Sequence, residues 1–116
     1  MLIEEKSFQF SLEIIALVKE LRKKKEYVFA DQLLKSATSI GANVCEAGAS
    51  QSKKDFISKM SIASKEARET RYWLRLILEA EIITSDMEKP LEEIEQIIRI
   101  LTKIVKTSQF NLKSKT

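Results

Sequence analysis

The chain has 116 residues, 44% hydrophobic and 32% charged, with two Gly, one Pro, no His and a formal net charge of +3. That is the length of one domain with one core, and so few chain-reversing residues exclude a turn-rich β fold, while the apolar fraction excludes a disordered chain. The mild positive charge tolerates an anionic partner without demanding one, because Lys and Glu are interleaved along most of the sequence.

Four helices are predicted. The first covers about residues 7–25, with Phe10, Ile14, Leu17 and Leu21 at spacings of four, three and four. Its end, "RKKK" from Arg22 to Lys25, complements the negative pole of a helix. The second covers about 29–47, with Phe29, Leu33, Ala37, Ile40 and Val44 on one side and Gly48 placed to cap it. Ser52, with Asp55 three residues later, opens the third, about 53–82, in a capping arrangement. Its apolar seam is Phe56, Met60, Ala63, Ala67, Leu74 and Ile77. After the break "TSDMEKP", Pro90 suits the first turn of the fourth, about 87–108, whose Leu91, Ile94, Ile98, Leu101 and Val105 alternate by three and four. Residues 110–116 are expected to form a solvated tail. Seams of this period, joined by short connections, predict an all-α, antiparallel, up-down-up-down four-helix bundle as a single domain over residues 1–116.

The usual tools of catalysis are missing. Without His there is no Ser-His or Cys-His pair and no Glu-x-x-His metal motif, and the lone Cys45 offers neither a disulfide framework nor a thiolate cluster. No phosphate-cradling Gly-rich loop or nucleophile motif is present. Carboxylate pairs such as Glu66 with Glu69 and Glu92 with Glu95 are read as ordinary surface charge. The expectation is a non-enzyme with no cofactor, no metal and no small-molecule substrate. No apolar run approaches a membrane span, and "MLIEEKSFQF" lacks the basic-then-apolar order of a secretory signal, so a cytoplasmic protein is expected.

The second helix is unusual. Residues 32–52 carry two charges, Lys35 and Glu46, whereas residues 86–106 carry nine. A surface helix normally shows one apolar and one charged face. At 100° per residue, one flank of its seam is Gln32, Ser36, Ser39, Asn43 and Glu46, and its back is Leu34, Thr38, Ala42, Cys45 and Ala49. Small side chains admit a second backbone, and Gly41 in mid-helix costs roughly 1 kcal/mol against Ala unless something packs there. For the flank, a neighbouring helix and a second subunit are both open readings; for the uncharged back, another copy of the chain is the simplest cover. Candidate packing residues are therefore Ser36, Ser39, Gly41, Ala42, Asn43, Cys45 and Glu46. On the third helix Ile62, Trp73, Leu76 and Ala80 form a second apolar row, with Ile62 and Trp73 as interface candidates; the competing reading is a wide stripe touching two neighbouring helices.

Arg68, Arg71 and Arg75 lie three and four apart on the third helix, with Lys54 and Lys65 near the same side. Like charges so placed repel and call for an acidic counterpart, either phosphate or Glu residues on an adjacent helix, the second being the simpler. Lys53, Lys54, Arg68, Arg71 and Arg75 are the candidate nucleic-acid contacts, and repetition of such a patch in an oligomer would strengthen it.

The stretch from Gln32 to Ile77, in particular "SIGANVCEA" (Ser39 to Ala47) and "SKKDFISKMSIASKEARETRYWL" (Ser52 to Leu74), resembles the four-helix-bundle proteins related to those encoded by intervening sequences of bacterial 23S rRNA genes. Many relatives place Glu-Gly after the Asn-containing segment, whereas this chain has Glu46-Ala47-Gly48, which would lengthen the second helix by a residue. The resemblance implies a bundle assembling as a ring, commonly a homopentamer, with a non-enzymatic role. Relatives that accompany diversity-generating retroelements are basic, barrel-shaped partners of a reverse transcriptase and its nucleic acid, so RNA, DNA or a reverse-transcriptase-like protein are the partners it implies besides the chain itself. Set against this is a purely protein–protein interaction or assembly module without nucleic-acid affinity.

Overall fold

A computed structural model describes residues 1–114. They form four α-helices: α1 (Leu2–Lys23), α2 (Tyr27–Gly48), α3 (Lys53–Glu79) and α4 (Glu88–Ser114). The helices lie side by side in a rod of 53 × 21 × 21 Å. Each packs on the next and α4 closes back on α1, while α1 and α3, and likewise α2 and α4, stand on the diagonals of the bundle. The pairs across each seam run in opposite order. Arg22 meets Asp31, Ser11 meets Ala37, Ser36 meets Thr70, Arg68 meets Thr102 and Lys6 meets Gln96. The result is an all-α four-helix bundle, up and down in turn.

The apolar seams build its core. Phe10, Ile14, Leu21, Leu33, Ile40, Met60, Leu74, Ile77, Ile94, Ile97 and Leu101 are sealed from solvent. Two hydroxyls replace hydrocarbon at the α2–α3 seam: Thr70 bonds the Ser36 hydroxyl at 3.0 Å and its own-helix Glu66 carbonyl oxygen at 2.8 Å. Both side chains are thus satisfied, which is the condition for burying them at little cost.

The helix ends differ from the sequence expectation in instructive ways. α1 starts five residues before Ser7, because Ile3 extends the seam and Glu4 and Glu5 complement the positive pole of its first turn. Ser7 sits on the seam itself, buried, donating to the Glu4 carbonyl oxygen at 3.1 Å. α1 and α3 both stop in Schellman turns with no glycine. Lys25 has φ 61° and Glu81 φ 53°. The Glu26 N–H reaches back to the Leu21 carbonyl oxygen (2.9 Å) and the Ile82 N–H to that of Ile77 (3.0 Å). The Ser52 cap is as expected, its hydroxyl oxygen accepting from the Asp55 N–H at 3.0 Å.

Two assignments are corrected. Gly48 is not a left-handed cap: α2 runs through it and ends at Ala49, with φ −105°. A Cβ at Gly48 would stand 3.1 Å from Glu4 Oε1, the end of a half-exposed side chain at the start of α1. Residues 110–114 are not a tail: α4 continues to Ser114. Nothing in "FNLKS" breaks a helix, and half-buried Leu112 lines a hollow with Ile57 of α3, which carries the seam onward. Residues 115–116 of that expected tail lie outside the described residues.

Candidate nucleic-acid interface and assembly face

The five candidate cations do not form one patch. Lys53 and Lys54 occupy the first turn of α3, and Arg75 lies about 33 Å further along the same helix at the standard rise. Lys53 is engaged within the protein. Arg71 turns inward to α4, its Nη1 3.1 and 3.3 Å from the two oxygens of Glu95. Of the two counterparts open to the arginine row, a Glu of the adjacent helix is the one found at Arg71. Arg68 instead meets a neutral partner, donating from Nη2 to Thr102 Oγ1 at 3.2 Å, so that bond leaves its charge uncompensated. Arg75 pairs with Glu79 one turn on, Nη2 to Oε2 at 3.2 Å, with both side chains about two-thirds exposed. Such surface pairs contribute well under about 1 kcal/mol and exchange partners readily. What remains on the outer side of α3 is a row of exposed Lys65, Arg68 and Arg75, with exposed Lys54 beyond it.

The uncharged helix divides into two sides. Its flank faces α3. Ser36 is buried against Thr70, and Glu46 pairs with Lys59 at 3.4 Å. The half-buried Ser39 and Asn43 bond their own helix, Ser39 Oγ to the Lys35 carbonyl oxygen (2.7 Å) and Asn43 Nδ2 to that of Ser39 (2.8 Å). Gly41 faces α1: a Cβ there would lie 3.5 Å from Ser7 Oγ and 3.6 Å from the Ser7 carbonyl oxygen. Within the chain, α3 covers Ser36 and pairs with Glu46, and α1 lies against Gly41, while the bonds of Ser39 and Asn43 stay within α2.

The back does not find such cover. Ala42, Cys45 and Ala49 are exposed. Ala42 and Cys45, with Gly41 and Thr38, form one wall of an open groove of about 770 Å³ whose other wall is Met1, Glu4, Glu5, Phe8 and Ser11 of the first helix and its cap. Phe8 is 58% exposed and Leu12, one turn on, is 49% exposed. These α1 residues escaped the sequence reading, although Phe8, Leu12 and Ile15, at spacings of four and three, form a second apolar row off the core seam.

Trp73 is engaged within the chain. It is half-buried at the α2–α3 boundary, edge-on to Phe29 at 6.3 Å and to Tyr72 at 5.2 Å between ring centroids. The wide stripe of α3 therefore serves a neighbouring helix at this point, though Ile62 (39%) and Leu76 (37%) stay exposed beside it. The indole Nε1 is buried and has no hydrogen-bond partner among the described residues. Tyr72, 58% exposed on the outer face, is a further residue that the sequence reading did not single out.

Among the described residues no group of three potential ligands is placed to hold a metal ion, and no helix is long and apolar enough to cross a membrane.

Comparison with known proteins places these surfaces in a family. The pattern of the 23S rRNA-intervening sequence proteins matches residues 1–103. Among solved structures, the chain is similar to a protein of unknown function from the S23 ribosomal protein family of Bacteroides thetaiotaomicron VPI-5482. The two share 43% identity and superpose with a TM-score of 0.85, over 90% of this chain and 98% of that one. No functionally curated protein matches the chain. The four-helix bundle, the match over nearly the whole chain and the closeness of that structure agree, and the chain belongs to the family of 23S rRNA-intervening sequence proteins.

Proposed function

We propose that the protein is a non-enzymatic, homo-oligomeric helical-bundle scaffold whose assembled surface binds RNA or DNA, alone or together with a nucleic-acid enzyme. The observation that carries this reading is the separation of its two surfaces. The open, largely apolar groove lies between α1 and α2. The candidate cations that stay exposed, Lys54, Arg68 and Arg75, lie with Lys65 on α3, at the corner of the bundle diagonal to α1. Copies packing through the groove would leave the basic row open, and repetition around a ring would multiply a charge too modest to act alone. A ring needs a contact between different faces of successive subunits, and the chain offers an apolar surface on α1–α2 together with the exposed Ile62 on α3.

Light scattering on a sizing column tests the assembly. A homopentamer of the 13.3 kDa chain gives about 66.5 kDa, whereas a folded species at the mass of one chain contradicts it. Association should be joined by RNA binding that weakens steeply with salt and to a similar degree across sequences.

A second reading, a protein-interaction module with no nucleic-acid affinity, draws on the same groove, since its apolar walls suit a protein surface better than phosphate. It is favoured if oligomers form while no RNA binds at low salt.

A further inference from the structure

The outer face of α3 carries a ring as well as charge. Arg68 lies four residues before Tyr72 and Arg75 three after it, so all three share one strip of helix surface. The two arginines are about 10 Å apart along the axis, and a strand crossing Tyr72 passes within reach of both. Tyr72, Arg75, Leu76 and Glu79 wall a shallow, open hollow of about 220 Å³. Its walls are a phenol ring and a Leu side chain, with a guanidinium and a carboxylate added. The ring is held in place from behind: Tyr72 and Trp73 stand at 79° to one another, and Trp73 is in turn edge-on to Phe29 of α2. This aromatic ladder runs from the α2–α3 boundary to the surface and ends in an exposed ring. A ring held by its neighbours loses little freedom when something stacks on it.

We propose that Tyr72 is a stacking platform for an unpaired base of single-stranded nucleic acid. Arg68 and Arg75 would hold the flanking phosphates, and Glu79, released from its surface pair with Arg75, would accept a hydrogen bond from a base amino group. The inference rests on the nucleic-acid reading above and narrows it to single strands. A planar ring between two cations matches a ligand that alternates π-faces with phosphates. An acidic peptide supplies the charges but no series of planar rings. A duplex keeps its bases stacked on one another and offers this ring only backbone.

The full-length protein provides its own reporter, because Trp73 is its one tryptophan and touches Tyr72. Its emission, and the anisotropy of a labelled oligonucleotide, are followed at low salt with a single-stranded RNA and with a duplex of equal length. The expected result is tighter binding of the single strand with a change in Trp73 emission. Tyr72→Ala and Tyr72→Leu should each weaken single-strand binding about ten-fold or more and leave duplex binding within about two-fold. Tyr72→Phe should bind as the parent does, and Arg75→Ala should weaken both forms. Circular dichroism of each variant confirms the bundle. If Tyr72→Ala and Tyr72→Leu leave single-strand affinity unchanged while Arg75→Ala lowers both, stacking is wrong and the basic-surface reading stands. If neither nucleic acid binds, both are wrong. If Tyr72 proves shielded in the assembled protein before RNA is added, the ring belongs to a subunit contact and the stacking proposal fails.

Discussion

Gly41 shows how a single position can be read two ways. In the sequence it is a helix-weakening residue on a helix with little charge, and a second subunit or a neighbouring helix could equally account for it. In the bundle it faces Ser7 and Ser11 of α1, and a Cβ would meet their atoms at 3.5–3.7 Å, ordinary contact distances. Alanine therefore fits. Gly41→Ala should raise stability in urea by about 0.5–1 kcal/mol, the helix-propensity gain, with no change of fold. Gly41→Leu must turn its longer side chain into the open groove that Gly41 lines, and should leave the stability of the single chain within about 1 kcal/mol. Equal destabilisation by both variants would show that the helices approach more closely here than these distances imply.

At the scale of elements, the α1–α4 seam is the thinnest of the four, and charged groups bridge it. Lys6 Nζ reaches Gln96 Oε1 at 2.7 Å, and Lys89 pairs with Glu13. The other Glu13 oxygen is buried, and among the described residues no N–H or hydroxyl donor reaches it. The Glu93 carboxyl stands beside it. Burial, reinforced by Glu13, pushes Glu93 up to about 7 from an ordinary value of 4.5. For Glu13 burial acts upward too, but hydrogen bonds from Glu93 and Lys89 and the charges of Lys89 and Lys6 outweigh it and hold the group below its ordinary value. The two carboxyls titrate as a pair sharing one proton, which supplies the missing donor. Because Glu93 lies higher in the folded state than in the unfolded one, its contribution is full below about 4.5 and is lost as the pH rises through about 7. Glu13 acts in the opposite sense, and its contribution fades only as the pH falls through its depressed value. Wild-type stability should thus decline between about pH 4.5 and pH 7, and Glu93→Gln should be the more stable protein at about pH 8 by about 1 kcal/mol after allowance for solvent screening. Parallel pH–stability curves for the two proteins would remove the shared proton.

At the scale of the whole molecule, the groove between α1 and α2 is the feature that the isolated chain leaves unexplained. Ala42 is exposed on its wall, where a charge on a lone bundle should change stability by no more than about 0.5 kcal/mol. In an assembly packed through the groove the same charge would be buried without a partner, which is costly. Ala42→Glu is therefore expected to keep its helical circular dichroism while its mass on a sizing column falls toward that of one chain. An unchanged mass would move the subunit contact elsewhere on the rod, with Ile62 and Leu76 of α3 as the next apolar surface to test.

The helices and their core seams were legible because they depend on spacing along one strand of residues. Apolar side chains three and four apart must share a face, and Ser52 with Asp55 or Pro90 in a first turn act within a few bonds. The same local logic exposed the shortage of charge on α2. What it could not supply was the angle at which each helix meets its neighbours. Only the packed bundle shows that Ser36 lies under Thr70, that Arg71 is taken by Glu95 while Arg68 and Arg75 stay on the surface, that Glu4 of α1 lies against Gly48, and that Trp73 faces Phe29. The continuation of α4 through Leu112 belongs with these, since a seam extends only where another helix lies alongside it. Periodicity decides which residues share a side of a helix, but whether that side meets a neighbour or water depends on the rotation of all four helices together, and that is a property of the tertiary structure alone.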